Sequence, residues 1–275
     1  MICDVIGFAS QAMLITSPVN PQLKHARQVR DGHEPDAIFV EGERLCEECL
    51  QSGLKLLAGF HAPSPSQRAQ TIIAELNRRQ CQLHEVADAA LATVSDTVNS
   101  QGIILLAARP FFTLDQIFAQ RAESVSLIVG LDAVQDPGNL GTIVRTAEAA
   151  GASGVIALSG SADAFAPKTL RSAMGSAFRF PVLTNAVPDE LIAASQAAGV
   201  IIAATAADAP LVYSEYDWQQ PTLVIFGNEA RGVNPSLLAR CEVKLRVPLH
   251  PPVESLNVAA AAAAILFEAA RQRKN

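Results

Sequence analysis

The sequence predicts an α/β protein built in two parts, and three observations carry that prediction. From Ser124 onward, apolar runs alternate with helical stretches, a rhythm that gives a parallel sheet covered by helices on both faces. Before about residue 107 the texture differs, with short strands and helices making a smaller α/β unit. Finally, three of the apolar runs in the second part are each followed by a polar cluster, and ligands of parallel sheets collect beyond the C-terminal ends of strands. The boundaries read as 14–107 for the first unit, 108–123 for a connector containing Pro110, and 124–275 for the second.

In the first unit, strands are expected at Ala37–Glu41, 55–60 and 103–107, with helices over Glu43–Gln51 and 66–78. In the second, strands are expected at 125–131, Gly154–Leu158, 200–205, Thr222–Gly227 and 243–247. These are short continuous apolar runs, as strands buried on both faces require. Helices are expected at 140–150, 167–175, 188–198, 235–239 and 256–272, the last an almost uninterrupted alanine stretch.

The bulk numbers bound the function. A chain of 275 residues is long enough to bury a core in one large or two smaller domains. Five cysteines, an odd number thinly spread, suit free thiols in a reducing cytoplasm better than a disulfide framework. Cys46 and Cys49 have metal-like spacing, but no second pair accompanies them and their surroundings read as helical, so no metal is expected. Residues 1–15 carry no Lys or Arg, which argues against a secretory leader, and Met13 is a plausible start. Nothing reaches the roughly 18 apolar residues of a membrane span. The net charge of −6 weighs against a phosphate-rich partner unless basic residues cluster locally.

The chemistry sits in the three clusters. Asp136-Pro137-Gly138-Asn139-Leu140-Gly141 follows the first strand, with Arg145 further along the next helix. Pro137 and Gly138 make a turn, and Asn139 is expected to cap a helix starting near Leu140. Gly227-Asn228-Glu229-Ala230-Arg231-Gly232 ends the fourth expected strand. Its glycines allow close approach of a flat ligand to the backbone, although Glu229 is also a plain helix-capping type. Val247-Pro248-Leu249 leaves the fifth, and Glu254-Ser255-Leu256-Asn257-Val258 opens the terminal helix. Ser255 either caps that helix or points, with Asn257, into a site.

Each cluster alone is ambiguous. Their order, N-x-G-x-x-x-R, G-N-E-x-x-G and V-P…E-S-L-N-V, resembles the SpoU (TrmH-like) branch of the SPOUT RNA methyltransferases. Upstream, Ile15-Thr16-Ser17 with Asn20-Pro21 and Lys24, and Phe39-Val40-Glu41-Gly42, resemble the substrate-binding domain of members acting on ribosomal RNA. Pro167-Lys168 and Arg171-Ser172-Ala173-Met174-Gly175 with Phe178 are similar to the same subgroup.

The resemblance implies a trefoil-knotted C-terminal sheet, an L30-like N-terminal domain, and a homodimer with its active site at the C-terminal interface. It also implies S-adenosylmethionine as cofactor, held by Gly227, Asn228, Val247, Leu249, Ser255 and Leu256. The implied catalytic set is Asn139, Arg145, Glu229, Ser255 and Asn257, and the reaction is methylation of a ribose 2′-hydroxyl in RNA, with 23S ribosomal RNA as the expected substrate. In that family Arg145 would serve as a base assisted by Ser255. A guanidinium is normally always charged, so gripping a phosphate or stabilising the developing alkoxide is the alternative.

Two departures stand out: Leu249-His250-Pro251-Pro252-Val253 where relatives often carry Gly, and Ala259 where many have Ser. Lys24, Arg27 and Arg30, close together in one expected helix, are the candidates for RNA contact. A catalytically silent RNA-binding assembly factor and a tRNA methylase are the competing readings. Titration with the cofactor separates the first of these from an active enzyme.

Overall fold

In the computed structural model, residues 14–98, 100–119 and 126–273 are described. The expectations for residues 1–13, for 120–123 of the connector and for Val125 at the start of a strand lie outside them. The chain divides into two compact units, 1–109 and 110–275.

The first unit runs α1 (Pro21–Arg30), β1 (Ala37–Glu41), α2 (Glu43–Gln51), β2 (Leu56–His61), α3 (Gln67–Arg78), β3 (Leu83–Glu85), α4 (Asp88–Ala92) and β4 (Ile103–Ala108). Its four strands lie in the order β1-β4-β2-β3, antiparallel except for β2 with β3. β3 and α4 were absent from the sequence reading. Three and five residues give too few turns or alternations to establish a period.

Cys46 and Cys49 lie buried on α2. Burial pushes both thiols up, Cys49 to about 12, so they pack as neutral core groups.

The second unit runs α5 (Leu114–Ala119), β5 (Leu127–Asp132), α6 (Pro137–Ala149), β6 (Gly154–Leu158), α7 (Pro167–Ala173), α8 (Ser176–Arg179), β7 (Val182–Ala186) and α9 (Pro188–Ala197). It continues with β8 (Ile201–Thr205), β9 (Leu211–Val212), β10 (Thr222–Gly227), α10 (Pro235–Leu238), β11 (Val243–Arg246) and α11 (Val258–Arg273). Seven parallel strands form one sheet, ordered β7-β6-β5-β10-β8-β11-β9. Ile128, Ile156, Ile202 and Ile225 pack against Ile117, Leu191 and Leu237 from α5, α9 and α10. By strand alternation Val129 and Val224 point to the other face, where α11 packs on β10 and α6 on β6.

The strand order positions the site. β5 steps outward through β6 to β7, whereas β10, β8 and β11 lie on its other side. That reversal leaves a crevice beyond the strand ends. Register levels its rim: Gly227 pairs with Asp132, and Leu245 with Thr205. Leu131, Phe226 and Leu245, at or beside those ends, are fully buried. Each such side chain contributes about 1.5–3 kcal/mol, so the loops leave fixed anchors.

Candidate active site

Two helix starts differ from expectation, and both differences shape the site. α6 begins at Pro137, two residues before Asn139: the Asp136 side chain caps it by accepting from the Asn139 amide at 2.9 Å. Proline suits the first helical position because its missing N–H would go unused there. Asn139 is therefore a first-turn residue whose side chain is free for other work. Likewise α11 begins at Val258, and Asn257 rather than Ser255 caps it, its Oδ1 accepting from the amides of Ala259 (2.9 Å) and Ala260 (3.3 Å). Ser255 is exposed, with no hydrogen bond to any described residue.

The three loops meet through side chains. Asn139 Nδ2 donates to Glu229 Oε1 at 2.9 Å, and Asn257 Nδ2 donates to Asn139 Oδ1 at 2.9 Å. Longer bonds from the amides of Asp136 (3.4 Å) and Gln135 (3.5 Å) also reach the Glu229 carboxylate. A carboxylate only accepts, so it fixes which end of the Asn139 amide faces it. Burial raises the Glu229 carboxyl, but Asn139 and the amides of Glu229, Asp136 and Gln135 outweigh that and hold it below the ordinary carboxylate range. The Asn139 amide and the Lys168 ammonium, 3.1 Å away, lower Asp136 as well.

The second loop is held by its own asparagine. The backbones of Asn228 and Gly232 bond each other in both directions, at 3.0 and 2.8 Å. Asn228 Oδ1 accepts from the amides of Ala230 and Arg231, while its Nδ2 donates to the Ala133 carbonyl at 2.9 Å. Its side chain thus ties the first loop to the second. Gly227 must be glycine: an added Cβ would overlap the Gly232 carbonyl carbon and the Val233 nitrogen.

Beside this knot of hydrogen bonds lies a cleft of about 470 Å³, a size suited to a small ligand. Gly227, Asn228, Val247, Leu249, Ser255 and Leu256, the six residues expected to hold a cofactor, all line it, and so does Glu229. Val253 and Leu256 are 52% and 44% exposed there. Solvated apolar side chains converging on one concave surface suit a flat apolar ligand face. Asn139 and Asn257 sit at its edge through Glu229. Arg145 does not: it is exposed on α6, outside the cleft lining, with no hydrogen bond to any described residue.

Reading the sequence missed Asp136 as cap, and it missed Thr205, Ala206, Arg246 and Glu254 as cleft residues. Thr205 and Arg246 end strands of the sheet, and the strand-end rule would have singled them out. Among the described residues no group of His, Cys, Asp and Glu is placed to hold a metal, and no helix is long and apolar enough to cross a membrane.

The expected RNA-contact residues lie on α1, and only one is free. Lys24 is exposed. Arg27 donates to Thr93 Oγ1 (3.1 Å) and the Pro18 carbonyl (2.8 Å). Arg30 pairs with Asp31 and reaches the carbonyls of Thr93, Val94 and Ser95, closing the loop after α4.

Known proteins resemble both units. The model of the SpoU rRNA methylase family matches residues 126–267, and that for RNA 2′-O ribose methyltransferase substrate binding matches 39–113. The 23S rRNA (guanosine(2553)-2′-O)-methyltransferase RlmP of Bacillus subtilis is 35% identical over 262 residues, covering 92% of this chain and 97% of its own. The AdoMet-bound rRNA methyltransferase of Sinorhizobium meliloti superposes with a TM-score of 0.83 at 30% identity, covering 94% and 97% of the two chains. The SpoU methyltransferase AviRb of Streptomyces viridochromogenes, in complex with AdoMet, gives 0.83 at 27% identity, covering 93% and 98%. The matched span holds the sheet, the cleft and the Asn139–Glu229–Asn257 chain together, and this protein belongs to the SpoU rRNA methylase family.

Proposed function

We propose that this chain transfers the methyl group of S-adenosylmethionine to a ribose 2′-hydroxyl of 23S ribosomal RNA. One observation carries the reading: Glu229, Asn139 and Asn257, from loops more than 100 residues apart at the extremes, form one hydrogen-bonded chain along the edge of a ligand-sized cleft. The named activity of RlmP supports the 23S substrate.

The cleft fits the cofactor. Val247, Leu249 and Leu256 offer apolar walls to a flat base, and the side-chain-free Gly227 lets the ligand approach the backbone. When bound, the cofactor supplies a methyl already activated on a sulfonium. The protein therefore mainly aligns the sugar hydroxyl. Glu229 locks the Asn139 amide, Asn257 locks it from the other side, and Ser255 presents an unengaged hydroxyl to the incoming ribose. Arg145, always charged, stabilises the developing alkoxide or holds a flanking phosphate.

Arg145 lies outside the lining of its own chain's cleft, so we assign a homodimer through unit 110–275, with Arg145 of each protomer serving the cleft of the other. Mixing Arg145→Ala with Glu229→Ala protein is then expected to restore about a quarter of wild-type activity, since half the dimers are mixed and each has one intact site. No recovery on mixing would place Arg145 in its own chain's site. We also read the C-terminal sheet as trefoil-knotted, as membership of the family implies, an exception to the usual unthreaded connection. The unpaired thiols suit the cytoplasm.

We assign unit 14–107 to RNA binding, with Lys24 as its free cation on α1. Lys24→Glu is expected to weaken RNA binding and reduce the salt slope by about 1. Arg30→Ala instead is expected to destabilise the unit by about 1 kcal/mol, because the part-buried carbonyls of Val94 and Ser95 lose their donor. Filter binding over a salt series and urea unfolding distinguish the two. The activity itself is tested by transfer of labelled methyl to unmodified 23S RNA, with tRNA as comparison; labelled tRNA alone, or no product, would overturn the reading.

A further inference from the structure

We infer that Arg246 binds the carboxylate at the amino-acid end of the cofactor, an assignment that rests on the methyl-donor reading above. Arg246 closes β11 and lines the cleft beside the fully buried Leu245. Its Nε donates to the Ala209 carbonyl at 3.0 Å, which fixes one edge of the guanidinium. The two terminal nitrogens donate to no described residue. Neither terminal nitrogen is a buried, unpartnered atom, so the free edge of the fork is open to solvent and to an incoming anion.

Charge in the cleft sharpens the choice of anion. Its charged lining residues are Glu229, Glu254 and Arg246. Arg246 is thus the only cation among them. Glu229 is already engaged by Asn139, at the side where the sugar hydroxyl must enter. A ligand that is a base and sugar at one end and a free amino acid at the other brings one carboxylate into this space. The planar fork of arginine matches a carboxylate with two parallel bonds, which the lysine point charge does not. The Ala209 bond also joins the loop after β8 to the strand end.

Calorimetry with two ligands tests the assignment on the intact chain. S-adenosylhomocysteine carries the carboxylate; 5′-methylthioadenosine keeps the adenosine and sulfur but lacks the amino-acid end. Arg246→Gln is expected to weaken S-adenosylhomocysteine about 10- to 100-fold, while 5′-methylthioadenosine changes by less than about twofold. Arg246→Lys should fall between, keeping charge without the fork. Equal losses for both ligands would mean that Arg246 only props the loop through Ala209, and would overturn the proposal, as would no loss for either. If the unaltered protein binds neither ligand, the methyl-donor reading itself fails and this assignment falls with it.

Discussion

Replacing Glu229 by glutamine is expected to lower methyl transfer about 100- to 1000-fold while leaving the sheet folded. The carboxylate accepts from the Asn139 side chain and from the amides of Asp136 and Gln135. Glutamine offers one oxygen and one NH2, so at least one of those donors meets another donor. These bonds lie at an exposed site, so the loss falls on the orientation of Asn139 more than on stability. Asn139 then loses its fixed orientation, and Asn257 with it.

The same carboxyl gives a pH signature. Its folded value lies below the ordinary 4.5, since its donors outweigh desolvation. Its contribution to stability is therefore fully present above the unfolded value and is lost as pH falls through the folded one. Thermal melts of wild type should approach those of Glu229→Gln as the solution becomes more acidic than about pH 4.5. Single-turnover rates at neutral pH give the catalytic effect. A variant that turns over like wild type would remove Glu229 from the machinery.

How much of this was legible beforehand follows from what each element had to bury. β5 and β10 are buried at every position, so their apolar runs stood out without structural help. β7 is buried only at its two ends and β9 has two residues, both half-buried; such edge segments leave no continuous apolar run. The three loops were legible because their residue types are unusual together. Which atoms they join was not, since Asn139 and Glu229 become neighbours only when β10 inserts beside β5. The helix starts were misread for a local reason: Asp136-Pro137 and Asn257 compete with Asn139 and Ser255 as caps of similar intrinsic preference, and the link to Glu229 engages Asn139. On α1 the sequence showed charge but not destination. Arg30 reaches carbonyls more than 60 residues away, so a basic segment that reads as a phosphate-binding face is partly a loop closure.

Gly227→Ala is expected to abolish cofactor binding, lowering affinity for S-adenosylhomocysteine at least about 100-fold, because one methyl has nowhere to go. The atoms it would overlap are Gly232 and Val233 backbone, not the end of a flexible side chain. The loop cannot retreat cheaply: Asn228 and Gly232 are paired in both directions, Asn228 is tied to Ala133, and Val233 is buried. Relief therefore means moving the whole 228–232 loop, which carries Glu229 away from Asn139 and opens the cleft wall. Overpacking of this kind costs about 1–3 kcal/mol or more, a fall of roughly 2–12 °C for a unit of this size. Gly151→Ala is the control. That glycine has φ +76° and open space around it, so alanine there adds about 1–2 kcal/mol of backbone strain without touching the loop, and affinity should hold. Calorimetry and melting curves of the two variants separate a lost site from a lost fold: if Gly227→Ala binds like wild type, the second loop does not form the cofactor's wall.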